Sequence, residues 1–211
     1  MSETFRLQKV LDAFRSCLSE NKEVYVKYYI EGWQDLVSFM NSLGNVFSFI
    51  SNDVVSKIKI MENFLSGENG SHYVTIQSMV KYELENDLVD LTKRGNHPES
   101  GCRTLLRLHR ALHWLELFLE RLRTSTEDSK TSVMCSEAYN ESLAHHHPWL
   151  IRKTVGVAFC VIPGRDAFFE VMNAGDHTQV VALLGESLPL VSEVYQITEA
   201  LYAKNNLLEL P

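Results

Sequence analysis

Two short runs put ionic side chains in pairs on stretches that otherwise carry core residues. In Asp53-Val54-Val55-Ser56-Lys57 and in Arg103-Thr104-Leu105-Leu106-Arg107 the charged residues stand four apart. On a helix each pair therefore shares one face. Apolar residues flank both pairs: Val46, Phe47, Phe49 and Ile50 before the first, Leu105, Leu106 and Leu108 within and after the second. Charges on core-forming helices are costly unless they are paired or meet a ligand. If the two faces meet, Asp53 stands against Lys57, Arg103 and Arg107. The surplus positive charge then suits a small dianion such as a phosphate monoester, whose oxygens match planar guanidinium forks. The plainer alternative for Asp53 and Lys57 is an exposed helical pair worth about 0.2–0.5 kcal/mol. For the arginines it is a solvated stripe, extended by Arg110 and bonded to acids such as Glu99 and Glu116. Arg110 itself reads as a supporting or structural ion pair.

Other polar residues carry weaker signals. His109 and His113 have a zinc-compatible spacing, but no H-E-x-x-H and no third ligand accompany them, so packing inside a helical layer is the better reading. His145, His146 and His147 are consecutive and cannot all face one point. His147 precedes Pro148, which biases its backbone toward an extended conformation and can aim the ring into a pocket from a helix junction. Trp33, beside Gly32, is a candidate membrane contact, as are Lys93 and Arg94, where each basic residue near an anionic surface contributes about 1 kcal/mol.

Four strings carry a family resemblance: Asp53-Val54-Val55-Ser56-Lys57; His97-Pro98-Glu99-Ser100-Gly101; the run from Arg103 to Trp114; and His146-His147-Pro148-Trp149. In this order they resemble the glycolipid transfer protein family, over almost the whole chain, and within it the branch that takes a phosphate headgroup. The resemblance implies an all-α, two-layer helical sandwich. It also implies a non-enzymatic carrier of ceramide 1-phosphate between membranes. Carried over residue by residue, Lys57, Arg103 and Arg107 match the phosphate-binding positions, Asp53 accepts from the sphingolipid amide N–H, and His147 donates to the amide carbonyl. In the sugar-binding branch a Trp matches Arg103 and an Asn matches Lys57. Two cations in their place argue for phosphate over sugar. The implied partners are ceramide 1-phosphate and a transient membrane surface, for a monomer without cofactor, metal or nucleic acid. The implied location is the cytosol, peripheral at membranes such as the trans-Golgi, endosomes or the inner leaflet of the plasma membrane, with the nucleus as a further compartment.

The elements that must position these residues are helical. Phe5, Leu7, Val10, Leu11, Phe14 and Leu18 recur at helical spacing. Val24 to Ile30 is aromatic-rich and reads as a connector or short helix. From Trp33 to Ile50 an apolar pattern predicts one long helix, with Asn52-Asp53 as its break or the start of the next turn, and the pattern then continues to about Leu65. A loop follows at 66–71, then a helix from Val74 that stops near Gly95 and Pro98. Ser100 is placed to cap the next helix, to about Arg123. Further helices are expected over Val133–Ala144, Trp149–Val161, Ala167–Met172 and Thr178–Asn205, the last kinked at Pro189. The tail from Leu207 to Pro211 is apolar enough to pack down. No strand pattern survives competition with helix, so the expectation is a single all-α domain of about eight helices over residues 1–211.

Composition narrows the function classes. A formal net charge of −7 disfavours a general nucleic-acid binder. The cysteines, Cys17, Cys102, Cys135 and Cys160, form no C-x-x-C pair and read as buried free thiols of a reducing compartment. No signal peptide is evident, and no stretch approaches the ~18 apolar residues of a spanning helix. A hydrolase using His147 and Asp53 is disfavoured, since neither a G-x-S-x-G elbow, a P-loop nor a metal cluster accompanies them. An anionic sphingolipid sensor or scaffold, signalling through a protein partner, is the alternative to a carrier.

Overall fold

Helix termini are set by short polar residues. Thr75 and Asp176 each open a helix with a reciprocal capping box, to Ser78 and Gln179, and the Ser100 side chain accepts from the Arg103 amide. Residues in the left-handed region close two of them. At Asp87 (φ 52°) and Asn206 (φ 57°) the chain reverses, and Leu88 and Leu207 return their N–H groups to the carbonyls of Glu83 and Tyr202 at 2.9 Å each. Both are Schellman terminations.

The computed structural model describes residues 5–43, 47–91 and 100–211, without the side chain of Phe49. Among the described residues it contains nine α-helices and no named strand: α1 Leu7–Ser16, α2 Val26–Ser42, α3 Ser48–Ser66, α4 Ile76–Glu85, α5 Gly101–Arg123, α6 Thr131–Ser142, α7 Trp149–Phe159, α8 Arg165–Val171 and α9 His177–Lys204. Helix α5 is central. It packs on α3, α4, α6 and α9, while α1 joins α2 to α9. The buried apolar side chains form one connected cluster that includes Trp33, Trp114, Phe118, Phe168 and Tyr202.

Several boundaries move from their sequence-predicted places. Val26 to Ile30 is the first turn of α2 and no separate element, with Tyr25 bridged to Thr75 just before it. The expected Trp33–Ile50 helix ends at Ser42, so Asn52 and Asp53 lie inside α3 and do not break it. Helix α4 stops at Glu85, ahead of the Gly95 stop, because Asn86 and Asp87 form the Schellman turn; Gly95 and Pro98 lie outside the described residues. Pro189 sits within α9 without ending it. That helix has the length and composition to cross a membrane, contrary to expectation. It packs along α1 and α5 instead, burying Leu184, Leu188, Val191 and Val194. Cys17, Cys102 and Cys135 are buried free thiols as expected, but Cys160 is exposed. The tail does pack down: Leu207 and Leu210 are buried.

Candidate functional site

Helix α3 carries Asp53 and Lys57 one turn apart, and Lys57 Nζ donates to Asp53 Oδ1 at 2.6 Å. The two sit differently in the surface: 15% of the lysine side chain is exposed against 63% of the aspartate. The lysine stem is thus packed while the carboxylate faces outward. Helix α5, packed on α3, carries Arg103 in its first turn, with only 5% of the residue exposed, and Arg107 one turn on. The tail completes this cluster. The backbone oxygen of Pro211 accepts from Arg103 Nε at 3.2 Å and from Arg107 Nη2 at 3.2 Å. One oxygen therefore holds two guanidinium groups side by side against their mutual repulsion. Arg103 Nη2 also donates to the Asp90 carbonyl, Arg107 Nη1 to the Arg103 carbonyl at 3.0 Å, and Arg110 Nη2 to the Leu208 carbonyl at 2.5 Å. The Asn206 turn is what lays the Leu208 and Pro211 carbonyls over the arginines.

Beside the cluster opens a cavity of about 340 Å³. Its polar wall is Asp53, Arg107, Arg110, His146 and His147; its apolar wall includes Ile50, Val54, Trp114, Leu143, Val155 and Phe159. Of the residues singled out in the sequence, Asp53, Arg107 and His147 share this wall. Lys57 joins through its bond to Asp53, and Arg103 through the Pro211 oxygen. Arg110 lines the cavity directly, more than a supporting ion pair would.

His147 is held as its position before Pro148 predicted, with extended backbone (φ −108°, ψ 139°) after the short 3-10 turn Ala144–His146. Its Nδ1 lies 2.8 Å from the hydroxyl of Tyr139. Burial raises the Tyr139 pKa, so the phenol keeps its proton. Burial also lowers the His147 pKa, with Arg110 adding and Asp53 opposing, so the imidazole is neutral at neutral pH. In the tautomer in which the phenol donates to Nδ1, the ring proton resides on Nε2. His146 is pushed down to about 4 by burial, with Arg110, His145 and His147 adding to the effect. The cavity wall thus offers a carboxylate acceptor, a neutral N–H donor and permanent cations that need no proton uptake.

One sequence-predicted contact changes. Trp33 is 0% exposed, packed in the core where α2 meets its neighbours, so it offers nothing to a membrane surface. Lys93 and Arg94 lie outside the described residues. Among the described residues the exposed aromatic is instead Trp149, at 64%, with Leu150, Val157 and Val161 also exposed on and after α7 and Lys153 Nζ 5.4 Å from the Trp149 ring centroid. No group of three metal-ligating side chains occurs among the described residues. His109 packs instead, with Nε2 2.5 Å from Glu199 Oε2 and its ring stacked on Tyr195. Sequence reasoning gave no cavity role to Tyr139, His146 or Trp114; His146 and Trp114 stand in the strings that carry the resemblance, while nothing in its local pattern marks Tyr139. Trp149 did leave a signal: Trp149-Leu150-Ile151 is a hydrophobic start directly after Pro148, followed at once by Arg152-Lys153.

A partly apolar cavity with Asp53, Arg107, Arg110, His146 and His147 on its polar wall thus lies in an all-helical chain. The glycolipid transfer protein family profile matches residues 24–174. Ceramide-1-phosphate transfer protein of Danio rerio is 87% identical over 211 residues, covering 100% of both chains. The crystal structure of mouse ceramide-1-phosphate transfer protein in its apo form superposes with a TM-score of 0.96 at 55% identity, covering 98% of this chain and 100% of that one. The human ceramide-1-phosphate transfer protein in complex with 12:0 ceramide 1-phosphate gives 0.94 at 56% identity, covering 98% and 100%. The chain belongs to the glycolipid transfer protein family. Its architecture is that family's two-layer helical sandwich, and the family comprises lipid transfer proteins, not enzymes.

Proposed function

We propose that this chain moves ceramide 1-phosphate between membranes as a non-enzymatic carrier, the whole of residues 1–211 acting as one domain. The observation that carries the reading is the bridging of Arg103 and Arg107 by one oxygen at the rim of an apolar cavity. That geometry presents forked donors where a phosphate oxygen fits, with Lys57 beside it. Asp53 accepts from the sphingolipid amide N–H, and the Nε2–H of His147 donates to the amide carbonyl. The 87% identity to a relative bearing that transfer name, and the ceramide 1-phosphate bound in the human relative, support the same ligand.

The apolar part follows from solvation. Two lipid chains hold on the order of 30 carbons, and leaving them bare in water costs roughly 20 kcal/mol or more at ~0.8 kcal/mol per CH₂. A cavity of about 340 Å³ lies at the small end of ligand pockets, which run to about 1,000 Å³, so the apolar wall must part to admit both chains. Helix α7 is the wall most able to move, since of its side chains only Val155 and Phe159 are buried. Its exposed Trp149 and Leu150, with Lys153, form the surface that enters the membrane interface. We keep Lys93 and Arg94 as basic contacts to anionic lipid. The protein is cytosolic on this reading and peripheral at membranes.

The test is vesicle-to-vesicle transfer of ceramide 1-phosphate, a neutral glycosylceramide and phosphatidic acid. Ceramide 1-phosphate moves fastest, because only it satisfies both the cations and the Asp53–His147 amide pair. Equal rates for phosphatidic acid would remove the amide contacts. Tight binding without transfer would turn the carrier into a sensor.

A further inference from the structure

The amides of Gly101, Cys102 and Arg103 have no backbone partner within α5, yet side chains satisfy all three, and the Thr104 amide begins the helical ladder. Gly101 N–H donates to Glu83 Oε1 at 2.6 Å and Cys102 N–H to Glu83 Oε2 at 2.9 Å. Arg103 N–H takes the Ser100 hydroxyl at 3.1 Å and Thr104 N–H the Ser100 carbonyl at 3.0 Å. Glu83 is 1% exposed, and Tyr73 donates its hydroxyl to Oε1 at 3.0 Å. Among the described residues no cation stands against this buried carboxyl group, and the positive end of a long helix faces it instead.

Glu83 also ends α4, since its carbonyl accepts the Leu88 N–H of the Schellman turn at 2.9 Å. One residue therefore closes α4 with its backbone and opens α5 with its side chain, joining points 18 residues apart. The segment so closed includes Asp90, whose carbonyl accepts from Arg103. The next residue after Cys102 is Arg103 itself, and on the far side Tyr202 donates to the Cys102 carbonyl at 3.0 Å. Gly101 is what admits the carboxylate: a Cβ there would stand 3.0 Å from Glu83 Oε1, 3.0 Å from Tyr73 Cε1 and 2.6 Å from Met79 Sδ.

We propose that Glu83 is a positioning residue for headgroup selection: its carboxylate fixes the start of α5, and with it the Arg103 backbone and the Asp90 carbonyl between which the Arg103 guanidinium is aimed. This rests on the phosphate reading above. Glu83→Gln keeps the size but sets an NH₂ against one of the two amides. The readout is the ratio of ceramide 1-phosphate to unphosphorylated ceramide extracted from phosphatidylcholine vesicles, alongside the melting temperature. The ratio falls by about tenfold in E83Q, the worth of one charge-assisted hydrogen bond. It stays at the wild-type value in Tyr73→Phe, which leaves both α5 amides bonded. A purely structural role would lower uptake of both lipids together, so an unchanged ratio in E83Q overturns the proposal, as does an equal fall in Tyr73→Phe. If E83Q does not fold, Gly101→Ala displaces the same carboxylate and must lower the ratio; an unchanged ratio there overturns the proposal equally. A wild-type protein indifferent to the phosphate would overturn the headgroup reading itself, and with it this one. Wild-type selectivity with an insensitive E83Q removes only the part given to Glu83.

Discussion

Helices α5 and α7 both border the cavity, and they are built on opposite plans. Fourteen residues of α5 are buried, every early amide is capped, and its arginines are bonded to backbone carbonyls of two other segments. Helix α7 buries two residues, has no side-chain cap at its N-terminus, and turns Trp149, Leu150 and Val157 to solvent. The contrast separates two tasks. Recognising a headgroup needs donors held to a fraction of an ångström, which demands a fully bonded helix. Letting two chains in and out needs a wall of low local stability, which a thinly packed helix provides. Selectivity should therefore respond to changes in α5 and rate to changes in α7.

The sharpest break of that division is Arg103→Leu. It deletes the first fork, removes one donor from the Asp90 carbonyl and leaves the Pro211 oxygen with Arg107. Losing a charge-assisted bond of ~1.5–3 kcal/mol weakens ceramide 1-phosphate binding roughly 10- to 100-fold, and vesicle transfer falls toward background. Circular dichroism stays helical, because α5 is held by its caps and buried face. Lys57→Ala acts in the same direction. Trp149→Ala comes next and acts on the other region: losing about 1.5–3 kcal/mol of apolar burial at the membrane slows transfer about tenfold or more, with binding in detergent solution unchanged. If Trp149→Ala weakened binding as much as transfer, α7 would be part of the recognition surface and the division would fail.

What the sequence made legible follows the range of the physics involved. Fold class was readable because helical periodicity is local: Leu7 to Phe14 and Leu105 to Leu119 repeat at the helical period, and the Ser100 cap stood where it was expected. The ionic pairs were readable for the same reason, since i and i+4 share a face whatever the rest of the chain does. Boundaries set by single left-handed residues were not. Asp87 ends α4 through a turn that its sequence does not distinguish from one more helical residue. Trp33 was misplaced because an amphipathic ring beside a helix start fits a core as well as an interface, and only the packing of α2 decides. Tyr139 and the Pro211 oxygen were illegible because their roles depend on partners 8 and more than 100 residues away.

Tyr139→Phe sharpens the comparison from within the recognition surface. It removes the donor to His147 Nδ1 and leaves the ring free to place its proton on either nitrogen. The loss is about 0.5–1.5 kcal/mol, or roughly 2- to 10-fold in ceramide 1-phosphate affinity. Phosphatidic acid, which has no amide, should bind Tyr139→Phe as it binds the wild type. A parallel loss for both lipids would mean that Tyr139 supports the wall and not the His147 donor.

The smallest effect is a pH dependence. His146 has its pKa lowered from 6.5 to about 4 by burial and by neighbouring Arg110, His145 and His147, and His147 is shifted in the same direction. The unfolded chain binds their protons first, so between pH 6.5 and about 4 the unfolded state holds more protons than the folded one, and stability rises with pH. The contribution is complete above 6.5 and is lost as pH falls toward the folded value. His146→Gln removes the titration while keeping a polar side chain of similar reach. Its melting temperature should decline less steeply than that of the wild type between pH 6.5 and 4.5, by on the order of 1–2 °C. Binding at pH 7 should not change, because the phosphate cations are arginine and lysine and the histidines are neutral there. Identical slopes in the two proteins would show that His146 titrates as it does in water. The cavity wall around it would then be open to solvent already, and the contrast between a fixed α5 and a yielding α7 would no longer rest on burial.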